Sequence, residues 1–192
     1  MLHTVKFRKD KNTVWTYNYY VFVDGNYKGF VGRTSLKVHT LNVCVPDYIE
    51  PREAKRIEEY SFNEAKKLIR EDILKSIKQK EKEREFWSKI KYLPRENAEV
   101  ILKLARKCKE IYPECRFILS DCDGCTAKRK TPEGVVKWID GLDSDIDIYV
   151  RKNDNEDEIP VGWFFLTPGE EEDCVICDYT ANDFCEKVMK GF

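Results

Sequence analysis

Long apolar runs are missing from this chain. Nowhere does it reach the roughly 18 consecutive apolar residues that a membrane helix requires, and its opening stretch, Met1-Leu2-His3-Thr4-Val5-Lys6, lacks the apolar core of a secretory signal. A cytoplasmic protein is the expectation. Histidine is scarce as well: only His3 and His39 occur, and neither stands in a recognisable serine or cysteine nucleophile motif. The chain has no Walker loop and no GxGxxG, so the glycine-rich phosphate cradles are excluded. Carboxylate-only active sites leave little trace in a sequence, so these absences lean the reading away from an enzyme without closing the question. Internal repeats and low-complexity segments are also lacking.

What is present is a heavily charged chain of 192 residues, 42% hydrophobic, 12% aromatic and 36% charged. The length suits one domain or two small ones, at roughly 100 to 200 residues each. A formal net charge of −1 conceals a segregation of sign. Residues 1–139 carry 30 Lys+Arg against 20 Asp+Glu, whereas residues 140–186 carry 2 basic residues, Arg151 and Lys152, against 15 acidic ones. Such asymmetry points to a charged partner: nucleic acid at the basic part or a basic surface at the acidic part. The bland alternative is a solvated surface that keeps the protein in solution.

The pattern of residue types predicts an α+β fold in three parts: an N-terminal antiparallel β-meander over 1–60, a long connecting helix over 61–93, and a C-terminal α+β domain with an acidic face over 94–192. Residues 13–23 are dense in β-branched and aromatic side chains and run into Asp24-Gly25-Asn26, the signal of a strand entering a hairpin. Residues 27–31 return, and 36–45 alternate as a third strand, with Pro46 and Pro51 punctuating its end. Ser61 and Glu64 have the spacing of a capping box, after which Ala65, Leu68, Ile69, Ile73 and Ile77 recur on one helical stripe. The stretch 78–85 is almost wholly charged, and Phe86, Trp87, Ile90 and Leu93 resume the stripe before Pro94. A second helix over 95–111 buries Ala98, Ile101, Leu102, Ala105, Cys108 and Tyr112. The remainder reads as strand 116–120, a short helix capped by Thr131-Pro132, strands at 146–150, 160–166 and 174–179, and a terminal helix capped by Thr180. This C-terminal α-β-α-β-β-β-α unit, with hairpin-like links between its later strands, calls for a mainly antiparallel sheet.

Eight cysteines, at 44, 108, 115, 122, 125, 174, 177 and 185, are expected as free thiols. Cys122, Cys125, Cys174 and Cys177 form two CxxC pairs, and four thiolates are the ligand set of a structural zinc. Val175-Ile176 inside the second pair are strand formers, and residues three apart on a strand point to opposite faces. No metal or cofactor is therefore the leading expectation, with zinc the alternative and Cys174 or Cys177 buried on the core face of its strand. Asp143, Asp145 and Asp147 fall at alternate positions entering a strand, either to hold a divalent cation or to guard an exposed edge.

Two short stretches resemble known families. Phe117-Ile-Leu-Ser-Asp121-Cys-Asp123-Gly-Cys-Thr126 resembles the first motif of haloacid-dehalogenase-type phosphohydrolases. The resemblance implies a nucleophilic Asp121, an acid–base Asp123 and a run of parallel βα units after the motif; the residues themselves favour an Asp-Gly turn. Tyr27-Lys28-Gly29-Phe30-Val31-Gly32 resembles the K/R-G-F/Y opening of the RNP1 strand of RNA-recognition motifs. Near it, Trp15, Tyr17 and Tyr19 alternate onto one strand face beside Lys6, Arg8, Lys9, Lys11 and Arg33. Aromatics beside cations stack bases and hold phosphates, although a ladder of aromatics covering a helix uses the same residues.

The acidic block is the strongest functional signal. Asp143, Asp145, Asp147, Glu156, Asp157, Glu158, Glu170, Glu171, Glu172 and Asp173 gather at hairpin ends and strand starts. Such a field attracts the Lys/Arg-lined groove of a nucleic-acid-handling protein. The leading expectation is a small non-enzymatic binding, inhibitory or regulatory protein of the kind phages and mobile elements carry. The alternatives are a nucleic-acid-binding protein using the basic first half through Lys6, Arg8, Lys9, Lys11, Trp15, Tyr17, Tyr19 and Arg33, and an enzyme of unrecognised class.

Overall fold

A computed structural model describes residues 2–9, 18–33, 41–142, 144–153, 159–168 and 175–192, with backbone only for Asn18 and Arg33. The fold is α+β. Among the described residues the chain forms five helices and two antiparallel sheets, of four and five strands. It divides into two compact units, Met1–Glu85 and Phe86–Phe192. No helix of the described residues is long and apolar enough to cross a membrane.

The first unit is a meander, β1 (Val5–Lys9), β2 (Asn18–Val23), β3 (Asn26–Arg33) and β4 (Leu41–Cys44), paired in chain order. β1 went unforeseen although Val5 and Phe7 alternate with Lys6 and Arg8; it pairs Val5 with Val23 and Phe7 with Val21. Two helices cover one face of the sheet. The first, α1 (Pro51–Ile57), was also unforeseen, because Pro51 starts the helix at its first turn instead of merely ending a strand. The second, α2 (Phe62–Trp87), begins at the expected capping box: the Ser61 amide donates to Glu64 Oε2 at 3.2 Å, and the Ser61 hydroxyl donates to the same oxygen. Val21, Val23, Val31, Leu41 and Val43 of the sheet close on Ala54 and Ile57 of α1 and on Ala65, Ile69 and Ile73 of α2. Burial of each such aliphatic side chain contributes about 1.5–3 kcal/mol. On the outer edge of β4, the Val43 amide donates to Glu58 Oε1 at 3.2 Å, which blunts the edge against further pairing.

Gly29 decides how β3 meets β4. Its φ is +149°, and a Cβ placed there would lie 1.9 Å from the Cys44 carbonyl oxygen. Only glycine fits so close an approach of two backbones. The neighbouring register shift between Val21 and Phe22 is the β-bulge that accommodates it.

The second unit stacks three helices on one face of a sheet. In chain order come α3 (Arg95–Ile111), β5 (Arg116–Asp121), β6 (Thr126–Arg129), α4 (Pro132–Ile139), β7 (Ile146–Arg151), β8 (Gly162–Leu166), β9 (Ile176–Tyr179) and α5 (Asp183–Met189). The sheet order is β6-β5-β7-β8-β9, antiparallel throughout. Strict alternation along β5, β7 and β8 sends Phe117, Leu119, Ile146, Ile148, Val150, Phe164 and Leu166 into the core against α3, α4 and α5. β6 was not foreseen, since Thr-Ala-Lys-Arg carries no apolar period; it is an edge strand held by backbone pairing to β5. The α5 cap is Asn182, whose side chain accepts from the Cys185 amide at 2.9 Å, and not the expected Thr180. At α4 the expected cap is present, with Thr131 Oγ1 accepting from the Gly134 amide at 3.1 Å.

α2 ends at Trp87, six residues before the expected break. The turn that follows is gathered by the carboxylate of Asp140, which accepts from the amides of Lys91 at 3.0 Å, Tyr92 at 2.8 Å and Leu93 at 2.9 Å. Partial burial alone would raise this carboxyl, but the three backbone donors outweigh it and leave its pKa below the ordinary value.

Candidate nucleic-acid interface

In the first sheet, alternation splits the aromatics between two faces. Val21 and Val31 point to the helices, and so does Tyr19, whose ring packs 4.6 Å from that of Phe62 with the Lys66 ammonium 4.9 Å above it. Tyr19 is thus part of the covered face, in keeping with the reading of these aromatics as a ladder over a helix and not as an open stacking row. Lys9 stands opposite Tyr19 in the register and shares that parity. The uncovered face carries the intervening residues: Lys6 and Arg8 on β1, Tyr20 and Phe22 on β2, Phe30 on β3 and Cys44 on β4, with Tyr20 opposite Arg8 and Phe30.

This uncovered face is aromatic and cationic. The Arg8 guanidinium lies 4.6 Å over the Phe22 ring. Tyr27 meets both Tyr20 and Phe22 edge-on, at 5.8 Å and 6.0 Å, and is 56% exposed, while Tyr20 is 37% exposed. Lys28 of the Lys-Gly-Phe stretch turns aside. Its ammonium donates to Asp47 Oδ2 at 3.1 Å, a hydrogen bond that raises its pKa, and lies 5.9 Å from the Tyr48 ring centroid. Phe30, by contrast, faces outward beside Tyr20. Phe30 stands in the Lys-Gly-Phe stretch already noted, whereas sequence reasoning missed Tyr20 and Phe22 because period-2 alternation separates two faces without saying which one the helices cover.

Of the other residues expected here, Lys11, Trp15 and Tyr17 lie outside the described residues, and Arg33 is described by its backbone, which pairs with Leu41. Most of the acidic block is likewise outside: Asp143, Glu156, Asp157, Glu158, Glu170, Glu171, Glu172 and Asp173. Asp145 and Asp147 are described. Asp147 accepts from Trp163 Nε1 at 2.7 Å on β7. β7 lies between β5 and β8, so the edge-guarding reading of these aspartates is wrong: the strand has no open edge.

Among the described residues, the structure does not bring Cys122 and Cys125 together with Cys177. Cys122 and Cys125 are exposed in the β5–β6 turn, and Cys177 is on β9, three strand spacings or about 14 Å from β5. Cys174 lies outside the described residues. Of the two cysteines, Cys174 or Cys177, one of which is expected on the core face, Cys177 is exposed, with Thr167 Oγ1 2.9 Å from its sulfur, while Ile176 takes the buried position. Cys108 and Cys185 are buried, as their helix faces required, and Cys115 joins them. Burial pushes the Cys108 and Cys185 thiols up, so they are inert.

The phosphohydrolase resemblance fails on geometry. Asp121 is 7% exposed, and its Oδ1 accepts from the amides of Asp123 at 3.1 Å and Cys125 at 2.7 Å, which commits the carboxylate to a turn. Both neighbours of β5 are antiparallel, whereas that family's motif implies parallel ones. The described residues hold no cluster of three metal-ligating side chains.

The class this geometry defines is an α+β protein in which each antiparallel sheet has helices on one face and polar and aromatic side chains on the other. No protein-family model, curated protein or solved structure matches the chain.

Proposed function

We propose that the protein binds single-stranded nucleic acid on the uncovered face of its first sheet. The observation that carries the reading is the set Tyr20, Phe22, Tyr27 and Phe30 on that face beside Lys6 and Arg8. Residues 1–85 as a whole carry 18 Lys+Arg against 13 Asp+Glu, so the surrounding field favours a polyanion. Rings on a sheet face stack on the π-faces of bases, which are accessible only in unpaired strands. The competing reading, an acidic surface engaging a basic partner, rests on ten acidic residues of which Asp145 and Asp147 are described.

The test is fluorescence anisotropy with labelled single-stranded RNA and DNA and the matching duplexes. Single strands should bind more tightly than duplex. Removing Phe22 and Phe30 together (F22A/F30A) should weaken binding at least tenfold, because each stacked base is worth about 1–3 kcal/mol. Reversing Lys6 and Arg8 (K6E/R8E) should flatten the log–log salt dependence by about 0.7 per lost phosphate contact. No binding at low salt, or equal binding by F22A/F30A, refutes the reading.

A further inference from the structure

The helical side of the first unit carries a feature that binding on the sheet face leaves unused. On α2 the residues Asp72, Ser76, Gln79 and Glu83 recur at three- and four-residue steps, a polar stripe beside the apolar one of Ala65, Ile69 and Ile73. The apolar stripe enters the core. The polar one forms a wall of a cleft of about 720 Å³, which Tyr48 and Ile49 ahead of α1 and Glu53 and Arg56 on α1 complete. Pockets that hold small ligands have volumes of about 300–1,000 Å³.

Asp72 is the unsatisfied group of this cleft. It is half-buried, and its Oδ2 is buried without a hydrogen-bond partner among the described residues. Burial, and next the charge of Glu53, hold its carboxyl above the ordinary carboxylate value, and Arg56 and Lys75 offset only part of this. Two of the neighbouring cations are engaged elsewhere. Arg56 Nη2 donates to Glu53 Oε2 at 2.9 Å, and the Lys80 ammonium donates to the Asp47 carbonyl at 2.9 Å while lying 5.1 Å from the Tyr48 ring centroid. Glu50 and Glu83 bring the carboxylates of the lining to four, and Lys75 brings the cations to three, so one negative charge is left over. The plain alternative is a carboxyl that stays protonated and serves no ligand. Asparagine would fill that role without the penalty of burying an ionisable group, whereas a cation entering the cleft accounts for an acid at this position.

We infer that the cleft binds a small organic monocation, an alkylguanidinium or alkylammonium group, with its charge on Asp72 and its aliphatic body against Tyr48. Such a group brings N–H donors to the carboxylate, and a turn about the terminal torsion presents either carboxylate oxygen to it. The Tyr48 ring, which already lies beside one ammonium, is a surface that cations favour. The cleft is separate from the uncovered sheet face and stands or falls independently of binding there.

The experiment is isothermal titration of the full chain with n-butylguanidinium and n-butylammonium, with n-butanol and butyrate as neutral and anionic controls, and NMR chemical-shift mapping to locate the site. The cations should bind with a dissociation constant of about 1 mM or tighter and shift the amides of residues 48–56 and 72–83, and the controls should not bind. D72N should weaken the cations about tenfold or more, the worth of a hydrogen bond to a charged group. Without ligand the same variant should melt no lower than the wild type, because it removes an uncompensated acid, and it should bind oligonucleotides unchanged. E83Q, at the exposed end of the stripe, should weaken the cations about twofold through charge alone, which keeps the test valid if D72N does not fold. An acetylated and amidated glycine–arginine–glycine peptide separates two sources of the cation: tighter binding than n-butylguanidinium assigns the cleft to an arginine side chain, weaker binding to a free small molecule. Failure of both cations to bind, binding of n-butanol as tight as theirs, unchanged affinity in D72N, or a lower melting temperature for D72N overturns the assignment.

Discussion

Asp140 closes the turn that precedes α3 within the second unit, and replacing it tests the stability argument directly. Its carboxylate accepts from three consecutive amides, those of Lys91, Tyr92 and Leu93. A hydrogen bond to a charged group is worth about 1.5–3 kcal/mol when buried. Here the Lys91 and Tyr92 amides meet water once released, and only the Leu93 bond is partly buried. Asp140→Ala should therefore cost about 2–3 kcal/mol in total, and Asp140→Asn, which keeps one acceptor without charge, about 1 kcal/mol. Urea unfolding followed by tryptophan fluorescence measures both. The pH dependence has a definite sign. The folded carboxyl titrates below its ordinary value of 3.8, so its contribution is fully present above that pH and is lost as pH falls through the folded value. The gap between wild type and Asp140→Ala should narrow in strong acid. Equal unfolding midpoints at neutral pH, or a gap that stays constant into acid, would refute the reasoning.

Other perturbations probe separate parts of the fold. His3 lies between Asp24 Oδ2 at 2.7 Å and Glu81 Oε1 at 3.0 Å, and hydrogen bonds to Asp24 and then Glu81 raise its pKa above 6.5. Any stabilisation from this clamp is full below 6.5 and lost as pH rises through the folded value; an NMR titration showing an unshifted imidazole contradicts it. A Cβ at Gly162 would lie 2.6 Å from Phe184 and 2.7 Å from the Cys185 sulfur. Gly162→Ala should thus cost about 1–3 kcal/mol by overpacking β8 against α5, and thermal melting at the wild-type temperature speaks against that packing. In the native protein a thiol reagent should label Cys44, Cys122, Cys125 and Cys177 quickly and Cys108, Cys115 and Cys185 only on unfolding. Mass-spectrometric mapping of early labelling decides it, and rapid modification of Cys108 is the contrary result.

Much of the architecture was written in local pattern. The capping box at Ser61 and Glu64, the helix face Ala98-Ile101-Leu102-Ala105-Cys108 and the Thr131-Pro132 cap depend on contacts within a few residues, so period and capping chemistry determine them. Alternation likewise determined that β7 has one buried face, whereas Phe117-Ile-Leu of β5 and Trp163-Phe-Phe-Leu of β8 are apolar without a break, and packing decided which of their sides is buried. β6 and α1 escaped because their signal is not local. Thr-Ala-Lys-Arg is a strand only because β5 offers it a ladder, and Pro51 opens a helix only because Ala54 and Ile57 find a core to enter.

The sites depended on tertiary structure more heavily still. A period of two cannot say which face of β2 the helices cover, so Tyr19 and Tyr20 were indistinguishable until α2 brought Phe62 onto Tyr19. Spacing offered Cys122, Cys125, Cys174 and Cys177 as an alternative zinc set, but sheet order places Cys177, on β9, three strands from β5. The cleft at Asp72 has no linear signature, because Glu53 and Arg56 on α1 and Asp72 on α2 come together only in the folded unit. Sequence by itself determined those elements that carry their own cap or apolar period, among them α2, α3, α4 and β7, since these follow from neighbours along the chain. Which strand lies beside which, and which face stays uncovered, followed from packing between distant segments, and both candidate sites exist only at that level.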